Sequence, residues 1–297
     1  DAFVRSISCI TPVQEGVMGL SGNGVLLACI DSGVDYAHPD FCAPDGTSRI
    51  AILWDQTIPG NPPMGYALGS VYTRQQINEA LASSTPEERF ALVPSRDVTG
   101  HGTAVLGIAA GNGRSSAYAA MRGVAPEATL VVVKLGNPDP ADLPRTSQLL
   151  QAVDFCVRYA LLVERPLVIN LSFGNNYGSH SGDSLLETYL NAVSNLGQNV
   201  ICIGAGNEGD TGRHYAGNLK SDRKSSGQTQ TVRATSDPAA TSAVSATADR
   251  AVSVEFQVGA YESSFSLQIW KVYGDEISIE LISPAPARSL LSSARRV

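Results

Sequence analysis

Val25–Leu26–Leu27–Ala28–Cys29–Ile30, followed at once by Asp31–Ser32–Gly33, is the stretch from which the architecture of this chain can be read. Six apolar residues with no polar break suit a parallel strand buried on both faces. Asp31 then stands at the carboxyl end of that strand, where open α/β sheets bind their ligands. His38–Pro39–Asp40–Phe41 forms a second polar cluster just beyond it.

Working outward, the same strand texture recurs at Thr129–Leu135, Leu167–Leu171 and Val200–Gly204, with a short strand at Ile50–Trp54. Between these runs lie helical spacings at Arg74–Ala82, Thr146–Leu162 and Asp183–Leu196, the last capped by Gly197. Strand and helix in alternation predict an α/β fold: a mostly parallel sheet with helices on both faces. Residues 43–73 otherwise read as irregular surface, residues 83–99 as a loop, and the opening to Ser21 as a surface arm or short helix. From about Asn218 the texture becomes Ser-, Thr- and Gln-rich. Period-two alternation then follows at Val252–Val258, Phe265–Ile269 and Ile277–Leu281, predicting antiparallel strands. The expected division is an α/β domain over 1–217 and a β-rich segment over 218–297.

One helix carries the chemistry. In Gly100–His101–Gly102–Thr103–Ala104, continued by Val105 to Gly111, a histidine sits between glycines at the head of a run of small and apolar residues. Such a helix can lie deep in a core and hold the imidazole at its rim. Asp31, Ser172 and Asn207 all follow predicted strands and so share the sheet edge that binds ligands. A carboxylate beside an imidazole fixes its tautomer and stabilises the imidazolium, while an amide can donate to a developing oxyanion.

Composition narrows the alternatives. The 297 residues are 43% hydrophobic and 16% charged, as in a packed globular protein. The net charge of −7, with no basic run longer than the pairs Arg223–Lys224 and Arg295–Arg296, argues against nucleic acid. Five cysteines show no C-x-x-C pair; Cys29 and Cys202 lie in apolar runs and are expected to be buried, which fits a reducing or disulfide-indifferent setting. No run of eighteen apolar residues predicts a membrane span. There is no signal peptide, and Asp1 in place of Met suggests that a leader or propeptide has been removed. Gly22-x-Gly24 precedes its strand, and Gly111-x-Gly113 ends its helix, so neither is a dinucleotide loop. Asp31, Asp35 and Asp40 are not spaced as an EF-hand.

In order along the chain, Ile30–Asp31–Ser32–Gly33–Val34–Asp35, His38–Pro39–Asp40–Phe41, Gly100–His101–Gly102–Thr103–Ala104, Gly123–Val124–Ala125–Pro126–Glu127–Ala128, Asn170–Leu171–Ser172–Phe173–Gly174 and Gly204–Ala205–Gly206–Asn207–Glu208–Gly209 resemble the subtilisin family of serine peptidases. The resemblance spans residues 20–215. It implies a serine endopeptidase with Asp31 as acid, His101 as general base and Asn207 as oxyanion donor. Ser172, Phe173, Gly174, Gly204, Ala205 and Gly206 would line a cleft for a protein or peptide substrate. It also implies calcium as a cofactor near Asp40, although the segment from Asn112 to Arg122 does not look like the family's usual calcium loop. Gly212–Gly217, Ile269–Asp275 and Ile282–Pro284 resemble clostridial-type subtilases with a jelly-roll domain inserted before the serine. That group implies a bacterial secreted or spore-associated setting.

The family's nucleophile lies in Gly-Thr-Ser downstream of the asparagine. Here the Gly-Thr-Ser sequence is Gly46–Thr47–Ser48, upstream of the histidine and expected to be a surface turn. The nucleophile is therefore expected from a C-terminal segment or chain outside these residues, with the propeptide as a further partner. The alternative is an inactive pseudoprotease that uses the cleft to bind protein.

Overall fold

The computed structural model describes residues 2–116, 121–136, 145–174, 177–209, 214–216, 233–234, 254–256, 267–271, 279–282 and 288–291. Two compact units emerge. One comprises residues 1–175 with 183–210, and the other 176–182 with 211–297.

The first unit is built on a six-stranded sheet. Its strands are β1 (Leu26–Asp31), β2 (Ile50–Asp55), β3 (Ser70–Thr73), β4 (Thr129–Lys134), β5 (Leu167–Leu171) and β6 (Asn199–Ile203), in spatial order β3-β2-β4-β1-β5-β6. All neighbours are parallel except the edge pair β2–β3. β1 lies inside the sheet between β4 and β5 and is buried at every residue. Its side chains divide by parity, as the pleat requires. Leu26, Ala28 and Ile30 join the core formed with α6 (Thr146–Leu162) and α7 (Leu185–Ser194). Leu27 and Cys29 enter the opposite core, with Ile77 and Ala80 of α3 (Arg74–Leu81) and Leu106 and Ala110 of α5 (His101–Ala110). Helices thus cover both faces, the α/β arrangement predicted.

Three expectations require correction. Residues 43–73 contain the antiparallel edge strand β3, and 83–99 contain α4 (Pro86–Leu92). Thr85 and Glu88 form a reciprocal cap at the start of α4, with Pro86 at its first turn. The opening segment bears out the short-helix alternative, as two helices, α1 (Ala2–Ile7) and α2 (Ile10–Glu15). Cys202 is exposed: among the described residues β6 is the outermost strand, and Val200, Cys202 and Ile203 are not covered as β1 is. The continuous apolar run assumed cover on both faces. Cys29, Cys42 and Cys156 are buried.

In the second unit β7 (Arg233–Ala234) pairs in parallel with β8 (Glu255–Phe256), and β9 (Ile279–Ile282) pairs antiparallel with β10 (Arg288–Leu291). The parallel pair departs from the antiparallel expectation because its two short segments are distant in sequence and not hairpin neighbours. Val252, Val258, Phe265 and Ile277 lie outside the described residues.

Candidate active site

Asp31 is the last residue of β1, 5% exposed, and His101 is the first residue of α5. The imidazole Nδ1–H donates to Asp31 Oδ1 across 2.7 Å. The same oxygen accepts the Ser32 backbone N–H at 2.7 Å. Asp31 Oδ2 is buried and accepts no hydrogen bond among the described residues. The hydrogen bond and charge of Asp31 raise the His101 pKa above its ordinary value, against a smaller opposing effect of desolvation. The imidazole side chain is 56% exposed, so Nε2 faces outward on a ring whose other nitrogen is fixed.

Backbone geometry explains how a helix comes so close to a strand end. A Cβ on Gly102 would stand 2.2 Å from the Gly33 carbonyl oxygen and 3.2 Å from Asp31 Cβ, so only glycine permits this crossing. Gly33 itself has φ +116°, a left-handed value that glycine adopts freely.

Asp97, not among the candidates the sequence offers, positions the start of α5. Its Oδ1 accepts from the Ser32 hydroxyl (2.8 Å) and the Gly100 N–H (3.0 Å). Its Oδ2 accepts from the Thr103 N–H (2.8 Å) and hydroxyl (2.7 Å). The Ser32 hydroxyl in turn accepts the Gly102 N–H at 2.9 Å. Asp97 therefore satisfies the first turn of α5 and ties it to the residue after Asp31. Burial alone would raise its pKa, but donors from Thr103, Ser32 and Gly100 outweigh burial and bring it below the usual carboxylate value. The signal in the sequence was an acidic residue just ahead of a helix start. The loop carrying it is anchored at Arg96, whose carbonyl accepts from Lys134 Nζ (2.6 Å), and at Ser95, whose hydroxyl donates to fully buried Asp55 (2.6 Å).

Ser172 follows β5 directly, and its hydroxyl accepts from Asn170 Nδ2 at 3.0 Å. Phe173 packs against the α6–α7 core, so its ring serves the fold. Gly174 is exposed. Gly204, Ala205 and Gly206 are exposed and follow β6, with the Gly204 N–H donating to Leu171 O at 3.0 Å. Asn207 is exposed in the same loop. Because Ile30 pairs with Leu171 and Leu171 with Ile203, the ends of β1, β5 and β6 stand level. Asp31 and His101 meet directly, whereas Asn207 lies in the loop after β6 and makes no hydrogen bond with either among the described residues.

Ser48 is buried, with its backbone N–H on Asn78 and its hydroxyl accepting from Ile50 N–H, rather than in a fully exposed turn. Burial raises the pKa of the Cys29, Cys42 and Cys156 thiols, which keeps them in the un-nucleophilic protonated form. Among the described residues no hydroxyl hydrogen-bonds His101 Nε2.

Among the described residues, the oxygens near Asp40 are taken up by protein donors and are not gathered as the six to eight oxygen ligands a calcium ion uses. Asp40 Oδ1 accepts the Ser115 N–H at 2.7 Å, and its carbonyl accepts from Asn112 N and Arg49 Nη1. The Cys42 carbonyl accepts from Asn112 Nδ2 and Arg114 Nη1, and the Ala43 carbonyl also accepts from Arg114. Among the described residues no group of three or more His, Cys, Asp or Glu converges as for a metal.

An aspartate–histidine pair at the carboxyl edge of a mostly parallel α/β sheet is the acid–base half of an acid–base–nucleophile arrangement. The profile of the subtilase family, peptidase S8, matches residues 22–292, and the chain belongs to that family of serine peptidases. It is 30% identical over 207 residues to the major intracellular serine protease of Bacillus subtilis, covering 69% of this chain and 50% of that protein. With the minor extracellular protease Vpr of the same organism it shares 27% identity over 66% of this chain and 19% of that protein. The solved structure of the Clostridium perfringens CspB protease superposes with a TM-score of 0.63 at 34% identity, over 71% of this chain and 41% of that one. The chain thus spans half or less of the length of these relatives.

Proposed function

We propose that these residues form the acid, base and oxyanion-donor part of a serine endopeptidase whose nucleophilic hydroxyl comes from residues outside 1–297. The observation that carries this reading is the 2.7 Å contact between buried Asp31 and His101, made through Nδ1 so that Nε2 is left outward. Nε2 takes the proton from the serine hydroxyl as its oxygen attacks the scissile carbonyl carbon. Asp31 stabilises the imidazolium that forms. The Asn207 amide donates to the oxyanion of the tetrahedral intermediate. Collapse of that intermediate breaks the C–N bond; the imidazolium returns the proton to the leaving amine, and water then releases the acyl group by the same sequence. The backbone at 172–174 and 204–206 pairs with an extended peptide as an added strand.

A competing reading is a protein-binding pseudoprotease, favoured by the lack of a hydroxyl on Nε2 among the described residues. One experiment separates the two. The full-length protein is incubated with a denatured protein substrate, with and without a serine-directed acylating reagent. New peptide termini that disappear with the reagent, and with His101→Ala, support the peptidase. Failure to cleave together with failure to be acylated refutes it.

A further inference from the structure

The oxygen-rich crossing beside Asp40 contains two positive charges of its own. Arg49, at the head of β2, is half-buried and donates to the carbonyls of Asp40 (2.9 Å), Ala110 (2.6 Å), Ala128 (2.9 Å) and Ala125 (3.5 Å). Burial lowers its pKa to about 10, which leaves it charged at neutral pH. Arg114, in the loop after α5, donates to the carbonyls of Cys42 and Ala43. Together they bind main-chain oxygens from the Asp40–Ala43 turn, the end of α5 and the Ala125–Ala128 turn.

Clusters of backbone carbonyls are the ligands hard cations use, and each carbonyl turned inward needs a donor or a cation. Ala110 is the last residue of α5, so its carbonyl also carries the negative end of the helix dipole. A guanidinium answers both demands with fixed, multiple donors. A divalent ion brought here would face these charges and find the carbonyls engaged.

We infer that Arg49 and Arg114 act as built-in cations that lock the C-terminal end of α5 to the β1–β2 connection, so that this crossing holds without calcium. The helix whose first residue is His101 is thereby anchored at its far end without a metal. The inference concerns the fold and does not rest on the peptidase reading.

Thermal unfolding of the full-length protein in chelator and in millimolar calcium tests it, with Arg114→Met alongside. Arg114 is exposed, so its replacement leaves the core intact. The wild type is expected to melt at one temperature in both conditions, and Arg114→Met to melt lower in both by about 2–4 °C. Arg114→Lys, which keeps the charge but not the fork, falls between them. Calcium that raises the melting temperature of the transition shifted by Arg114→Met overturns the inference, as does an Arg114→Met variant that melts with the wild type.

Discussion

Gly102→Ala is the smallest change that tests how α5 holds its histidine. The added Cβ would sit 2.2 Å from the Gly33 carbonyl oxygen, part of the backbone that follows β1. Restoring van der Waals contact needs a displacement of about 1 Å. Taken up by α5, that shift stretches the 2.7 Å contact of His101 with Asp31 beyond hydrogen-bonding range. Overpacking of this kind costs about 1–3 kcal/mol, offset by about 1 kcal/mol from alanine's better helix propensity. Losing a charge-assisted bond adds about 1 kcal/mol after discounting for the half-exposed imidazole. The net is about 2 kcal/mol, or about 4–8 °C in melting temperature for a domain of this size. On the proposed peptidase reading, a 1 Å misplacement of the base predicts a loss of about 100-fold in the kcat of the full-length protein. Thermal unfolding reads the first effect, and NMR titration of His101, whose pKa should fall toward its ordinary value, reads the second. A Gly102→Ala protein with unchanged melting temperature and unchanged His101 titration refutes the reasoning.

Further outcomes follow from the same contacts. Asp97→Asn turns one acceptor oxygen into a donor that faces either the Ser32 and Gly100 donors or the two Thr103 donors; it should cost about 2–3 kcal/mol in denaturant unfolding. The folded-state pKa of Asp97 is depressed, so its stabilising contribution is present above the unfolded value, about 3.9, and is lost as pH falls through the folded value. The wild type should therefore lose more stability than Asp97→Asn over that acid window. The raised pKa of His101 has the opposite sign: its contribution is present below about 6.5 and lost as pH rises through the folded value, where the free base needed for catalysis appears. Asn207→Ala in the full-length protein should lower kcat by about 100- to 1000-fold with little change in KM; an unchanged kcat would remove Asn207 from the oxyanion site.

What the sequence revealed, and what it hid, follows from the range of the interactions involved. β1, β4, β5, α5 and α6 were legible because an apolar run or a helical stripe reports burial locally. α4 was missed although Thr85–Pro86–Glu87–Glu88 spells a capped start, because its residues present no buried stripe. β3 is four residues at a sheet edge, too short for a period to register. Cys202 was misplaced because an apolar run says nothing about whether an edge strand is covered. Asp31 and His101 could be proposed as partners from strand ends and helix heads. Asp97 showed locally only as an acidic residue ahead of a helix start; its tie to Ser32, 65 residues away, is made by tertiary packing and leaves no local mark. Arg49 and Arg114 were hidden for the same reason: their partners are carbonyls, which leave no mark on residue identity.

The most direct test of the coupled carboxylate and imidazole is a pH titration of the His101 ring by NMR, in the wild type and in Asp31→Asn. The wild-type pKa is expected above the ordinary histidine value, with a return toward that value in the variant. Superimposable titration curves would contradict it.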